Sequence, residues 1–214
     1  MPSPPYSARR LALHLGWIAP LWLAAVLVLA VALVPDAANA PLGRFGATGV
    51  SGAAWFNALG LALPGLMLLM FSIALEATLA GPGTGRMLRL GTGMLMISGL
   101  AFAAQGAFPF DPSEPDGAAS QRHATALALS LLALASASVF VATGLRRAPR
   151  WRALAWGGLL LGATLALFLA CPPQQLFPPL EGYPAAAQQL VLAVYFGWFA
   201  LAAGVALARR RDVA

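Results

Sequence analysis

Lysine is absent from this chain, and charge of either sign is scarce. The 214 residues carry 13 basic side chains, all arginine, and seven acids. Soluble domains carry about 25% charged residues, so a charged share of 9% excludes an ordinary soluble domain. Cysteine occurs once, at Cys171, which excludes an internal disulfide and any multi-cysteine metal site. Histidine occurs twice, at His14 and His123, in different apolar stretches whose ends lie on opposite membrane faces. That separation excludes a multi-histidine zinc site and bis-histidine haem. HExxH, P-loop and GxSxG motifs are missing. Asp111–Gly117 is not a calcium loop, because Gly is not its sixth residue and no Glu closes twelve positions. No metal or cofactor is expected.

What the chain has instead is six long apolar stretches, roughly 11–33, 54–79, 87–107, 123–145, 154–170 and 185–208. About 20 helical residues cross a bilayer core of about 30 Å. The stretches predict an all-α, polytopic bundle of six transmembrane helices forming a single domain over 1–214. In a soluble protein the basic balance would suggest a nucleic-acid partner, but position accounts for it better. Arg9, Arg10, Arg86, Arg89, Arg146, Arg147, Arg150, Arg152 and Arg209–Arg211 fall on one side, and only Arg44 and Arg122 on the other. The positive-inside rule places the larger group in the cytoplasm, with both termini. Five acids (Asp36, Asp111, Glu114, Asp116, Glu181) lie in the opposite loops. The expected location is a bacterial cytoplasmic (inner) membrane, with no nucleic-acid partner. Arg9-Arg10, an apolar run and Ala38-Asn39-Ala40 outline a signal peptide. The run is longer than the usual 7–15 residues, and Pro41 follows the cleavage position, so the first stretch is read as a retained helix.

The inner links are tight, at Gly81–Gly85 and Arg146–Arg152, and make sequential helices antiparallel neighbours. The outer loops, 34–53, 108–122 and 171–184, are longer and rich in Pro and Gly. Gly158 and Gly162 form a GxxxG pattern that permits close helix approach, within the bundle or in a homodimer. Pro20 and Pro64 each remove a backbone donor inside a stretch and are expected to kink it.

Polar residues gather in the outer loops. Gly106–Gly117 holds Phe108, Phe110 and three carboxylates, and His123 follows closely. A carboxylate beside a histidine orients the ring and makes an acid/base pair, so His123 and Asp111 are the candidate catalytic residues. The first outer loop brings Arg44, with Trp55 and Asn57 entering the second stretch, and Gln188 and Gln189 begin the sixth. Arg44 or Arg122 suits a phosphate or carboxylate, with Trp55, Asn57 and Gln189 shaping an outward-facing cup. Asn57, as a buried amide, is expected to bond across helices. On the inner side, Glu76 and His14 are the most embedded ionisable groups, placed to pair with each other or to reach the interface.

Pro41-Leu-Gly-Arg44-Phe-Gly-Ala47 with Trp55-Phe-Asn57, Gly106-Ala-Phe-Pro109-Phe-Asp111 with His123, and Gln189 with Trp198 carry a resemblance. Over nearly its whole length the chain resembles the DUF998 family of six-span bacterial and archaeal membrane proteins, and more remotely the Frag1/DRAM-like proteins. It departs from the family at Arg44-Phe45, where a Ser-Asp pair is usual, and at Leu190, where an Arg is usual. The resemblance implies the fold and topology and no reaction. Three functions follow from the whole sequence: an outward-facing pocket for a lipid headgroup or small amphiphile; an outer-leaflet enzyme using His123 and Asp111; or an accessory subunit with a membrane-protein partner, its Gly158–Gly162 face covered by another chain.

Overall fold

The computed structural model describes residues 6–35, 39–80 and 85–211. Asp36 and the Gly81–Thr84 part of the second link lie outside them. Among the described residues there are helices and turns and no strand. Six helices are long and apolar enough to cross a membrane: α1 (Tyr6–Leu33), α2 (Ala53–Leu79), α3 (Arg86–Ala107), α4 (Ala118–Leu145), α5 (Arg152–Ala170) and α6 (Pro184–Arg211). This is the architecture of a multi-pass membrane protein. Its outer surface agrees: Leu21, Val28 and Leu160 are 69%, 71% and 68% exposed. In water such a surface would drive aggregation, whereas lipid solvates it.

The helices pack in chain order around a closed ring, each against the next, with α6 returning to α1. The tight links before α3 and before α5 leave those helix pairs little chain with which to separate. Large rings fill the middle. Tyr195, Trp198 and Phe199 of α6 are fully buried with Phe71 of α2 and Phe102 of α3. Phe102 stacks on Tyr195 at 5.4 Å between centroids, and Phe71 meets Phe199 edge-on at 5.9 Å. Glycines set the closest crossings. A Cβ on Gly65 of α2 would stand 2.3 Å from the Ala103 backbone nitrogen of α3, so the two backbones touch there. Gly162 abuts Ser138 of α4, and Gly158 abuts the Trp198 indole of α6. The GxxxG face is thus occupied by the chain's own helices, which is not the disposition the subunit reading requires.

Buried hydroxyls find partners inside the bundle, as an apolar surrounding demands. Ser72 and Ser138 donate to carbonyls one turn back, at 2.7 and 2.8 Å. Ser98 of α3 donates to the Ser130 carbonyl of α4 at 2.8 Å, and its Oγ lies 2.9 Å from the Tyr195 hydroxyl of α6. This node joins three helices in the interior.

The two prolines act differently. Pro20 lies inside the continuous helix α1. Pro64 follows a π-helical segment, Asn57–Ala62. A π-turn pairs each amide with the carbonyl five residues back, which for residue 64 is Leu59, and proline has no amide to offer. The Leu59 carbonyl instead accepts the Trp22 indole N–H of α1 at 2.9 Å. At the arginine-rich end Arg9 donates to the Ala77 carbonyl at 3.4 Å, placing a cation at the C-terminus of α2. Glu76 and His14 are half-buried, and among the described residues no ion pair joins them, so the expected pairing is not made.

Candidate functional site

The site is built by the first long loop lying over the open end of the ring. Pro41 fixes its own backbone and opens a tight 3-10 turn, Leu42–Arg44. Leu42, Phe45 and Ala47 are buried, and the Phe45 ring meets Phe56 of α2 at 5.4 Å. The loop leaves through Gly49 and Gly52, both at positive φ (82° and 81°), a conformation that glycine adopts without steric cost. Three hydrogen bonds to different elements hold it. The Leu42 amide donates to Oε1 of Gln188 on α6. The Thr48 amide donates to the Phe110 carbonyl of the second loop at 2.8 Å. Nδ2 of Asn57 on α2 donates to the Gly46 carbonyl at 2.9 Å.

Beneath this strap lies a cavity of about 660 Å³, lined by Arg44, Gly43, Phe110, His123, Leu127 and Gln188 among others. That is the size range of small-molecule sites, and the pattern is theirs too: an apolar wall with a few polar groups. His123, 9% exposed, is the most deeply set of these. Its Nδ1 lies 2.9 Å from the Phe108 carbonyl. A carbonyl can only accept, so Nδ1 carries a proton and Nε2 is the ring nitrogen left for another partner. Nε2 faces Gly43, where an added Cβ would sit 3.0 Å away, so the glycine lets the strap rest on the imidazole. Arg44 is exposed, and its guanidinium makes no hydrogen bond or ion pair among the described residues. The cavity therefore offers an uncommitted cation, an imidazole nitrogen and a long apolar wall.

Of the candidates, Arg44 and His123 come together here. Asp111 does not join them. Its carboxylate accepts the Ser113 hydroxyl at 2.6 Å and the Ser113 amide at 2.9 Å, a local turn that leaves His123 to the Phe108 carbonyl. Those two bonds, the hydroxyl's first, hold the Asp111 carboxyl below its ordinary value. Asn57 is buried as expected but bonds to the strap rather than across helices, and its Oδ1 has no hydrogen-bond partner among the described residues. Trp55 lies edge-on to Phe56 at 5.9 Å, away from the cavity. Arg122 is exposed, 5.9 Å over the Phe108 ring. Gln189 does not line the cavity; the neighbouring Gln188 does. The reason is helical phase. Ala185, Leu192, Tyr195, Phe199 and Ala202 form the buried stripe of α6, and Gln188 lies on that stripe while Gln189 is turned about 100° away. That spacing was the available signal. Among the described residues, no group of three or more metal-ligating side chains forms.

No family model, curated protein or solved structure matches this chain.

Proposed function

We propose that the cavity under the first loop binds an amphiphile with an anionic head, a lipid headgroup or a small fatty ligand, and that the protein carries out no acid/base chemistry with Asp111. The carrying observation is that Arg44, which makes no hydrogen bond or ion pair among the described residues, lines with His123 a largely apolar cavity. Arg44 supplies charge-assisted hydrogen bonds to a phosphate or carboxylate. His123, held in one tautomer by Phe108, accepts a hydroxyl when neutral and donates to an anion when protonated. Val34, Phe110 and Leu127 offer an apolar wall to the ligand's chain. The excess of arginine at the opposite end supports an outward-facing cavity, with both termini in the cytoplasm of a bacterium. Membership in the DUF998 family is part of this proposal and rests on the motifs quoted above.

The test is native purification in mild detergent, followed by mass spectrometry of small molecules retained by wild type, Arg44→Gln and His123→Ala. Wild type retains a specific anionic amphiphile, and Arg44→Gln loses most of it while keeping its unfolding midpoint. Equal retention by wild type and Arg44→Gln, or no retained amphiphile at all, removes the proposal. A chemically altered ligand in wild type that is intact in His123→Ala would instead establish catalysis.

A further inference from the structure

We propose a second lipid site at the arginine-rich end: the groove between α4 and α5 holds the phosphate of an anionic phospholipid. The groove encloses about 200 Å³ and is lined by Thr143, Arg146, Arg152, Trp156 and Leu159, among others. Arg146 caps the C-terminus of α4, and Arg152 is the first residue of α5, so the tight turn brings two guanidinium groups to one groove. Neither makes a hydrogen bond or ion pair among the described residues. Their neighbour Arg150 is committed elsewhere, 5.6 Å over the ring of buried Trp151.

Two electrostatic facts point to an anion. No acid occurs anywhere from residue 117 to residue 180, so no side chain of α4, the turn or α5 supplies a counter-charge, and only the α4 C-terminus offers Arg146 partial negative charge. Arg152 also stands at a helix N-terminus, where the backbone dipole already presents positive charge and a cation is disfavoured. An added anion relieves both. The positive-inside pattern explains why arginines lie at this end. It does not explain why two of them share a groove with an exposed tryptophan.

The apolar side of the groove selects a lipid over a free anion. Trp156 is 70% exposed one turn beyond Arg152, and Leu159 continues along the same side of α5. Amphipathic indoles collect at the headgroup level of membranes. The phosphate thus lies between Arg146 and Arg152, with the first acyl carbons against Trp156. Basic pockets between transmembrane helices bind lipid headgroups in this way. This site is independent of the cavity under the first loop, at the opposite end of the bundle.

The experiment uses the full-length protein in a neutral detergent, titrated separately with dioleoyl phosphatidylglycerol, dioleoyl phosphatidylcholine and inorganic phosphate. The readout is the thermal unfolding midpoint. Phosphatidylglycerol raises it, and the other two do not. In Arg146→Gln/Arg152→Gln the phosphatidylglycerol concentration needed rises on the order of tenfold, whereas Arg147→Gln on the same turn leaves it unchanged. An equal loss in Arg147→Gln reduces the effect to diffuse rim charge and overturns the site. An equal response to inorganic phosphate overturns its lipid character. A loss with Arg44→Gln alone assigns the binding to the other end. Should the double variant fail to fold, wild type and Trp156→Phe decide by fluorescence. Phosphatidylglycerol brominated on its acyl chains quenches the Trp156 component more than brominated phosphatidylcholine does, and equal quenching refutes the proposal.

Discussion

Replacing Gly65 with alanine tests the close crossing of α2 and α3. The new methyl group would lie 2.3 Å from the Ala103 nitrogen, 2.6 Å from its Cα and 2.7 Å from its Cβ, whereas ordinary contact begins near 3.4 Å. The nearest atoms are backbone, so no side chain can swing aside, and the helices must part by about 1 Å. A gap of about 0.5–1 Å already forfeits a quarter to a half of each dispersion contact, and overpacking of a well-filled core costs about 1–3 kcal/mol. A Cβ on Gly99 of α3 would likewise stand 2.7 Å from the Leu69 nitrogen on the same seam, so the close approach extends along the crossing. The internal standard is Gly197 of α6, where an added Cβ meets nothing within 4 Å. There the same change gains up to about 1 kcal/mol of helix propensity. Unfolding of detergent-solubilised protein, followed by size-exclusion after heating, therefore shows Gly65→Ala destabilised and Gly197→Ala unchanged or raised. Equal midpoints for the two variants would refute the argument that backbone contact, rather than glycine content, holds this seam.

Tyr195→Phe keeps the ring stack on Phe102 and removes only the hydroxyl that meets Ser98. It costs about 0.6 kcal/mol, typical of inter-helix hydrogen bonds in membranes, and a double-mutant cycle with Ser98→Ala that shows no coupling contradicts the node. Gln188→Ala removes the acceptor of the Leu42 amide, and hydrogen exchange over the strap segment Leu42–Ala47 accelerates roughly tenfold; unchanged exchange contradicts the Gln188 anchor. The Asp111 carboxyl is held below its usual 3.8 by the Ser113 hydroxyl, so the turn it forms is fully present above that pH and is lost as pH falls through the lower folded value. The Ser113 amide resonance followed between pH 5 and 2 reports this directly, and a midpoint above 3.8 would reverse the sign.

The spans were legible because apolar length is a strong signal, and the observed ends lie close to the expected ones. The largest differences are at α1, which begins at Tyr6 rather than at Leu11, and at α4, which begins at Ala118 rather than at His123. Hydropathy registers apolar residues, but Gln121 and Arg122 are good helix formers, and the helix runs back to Gly117. His123 is consequently in the second turn, deep enough to be covered by the strap. Arg44 and His123 were readable as loop-end polar groups, and their meeting depends on the fold of residues 39–52. Asp111 misled because proximity in sequence to His123 is not contact: a serine two residues on is a nearer partner for a carboxylate in a turn. The Ser98–Ser130–Tyr195 node was invisible because hydroxyls in apolar stretches are common, and only the ring geometry shows which of them face inward.

The order of helices around the ring also bears on how the molecule is made. Helices α1 to α5 can each dock on the one synthesised before, forming a curved wall as they enter the bilayer. Until α6 arrives, that wall has an open trough, with the Ser98 hydroxyl lacking its tyrosine and the faces of Phe71 and Phe102 uncovered. The last helix brings at one stroke the ring closure onto α1, the aromatic filling and the Gln188 anchor for the loop. Synthesis interrupted before α6 thus yields an inserted but hollow protein, a natural substrate for membrane quality control, and the loop-end cavity acquires its shape only when the chain is complete through that helix.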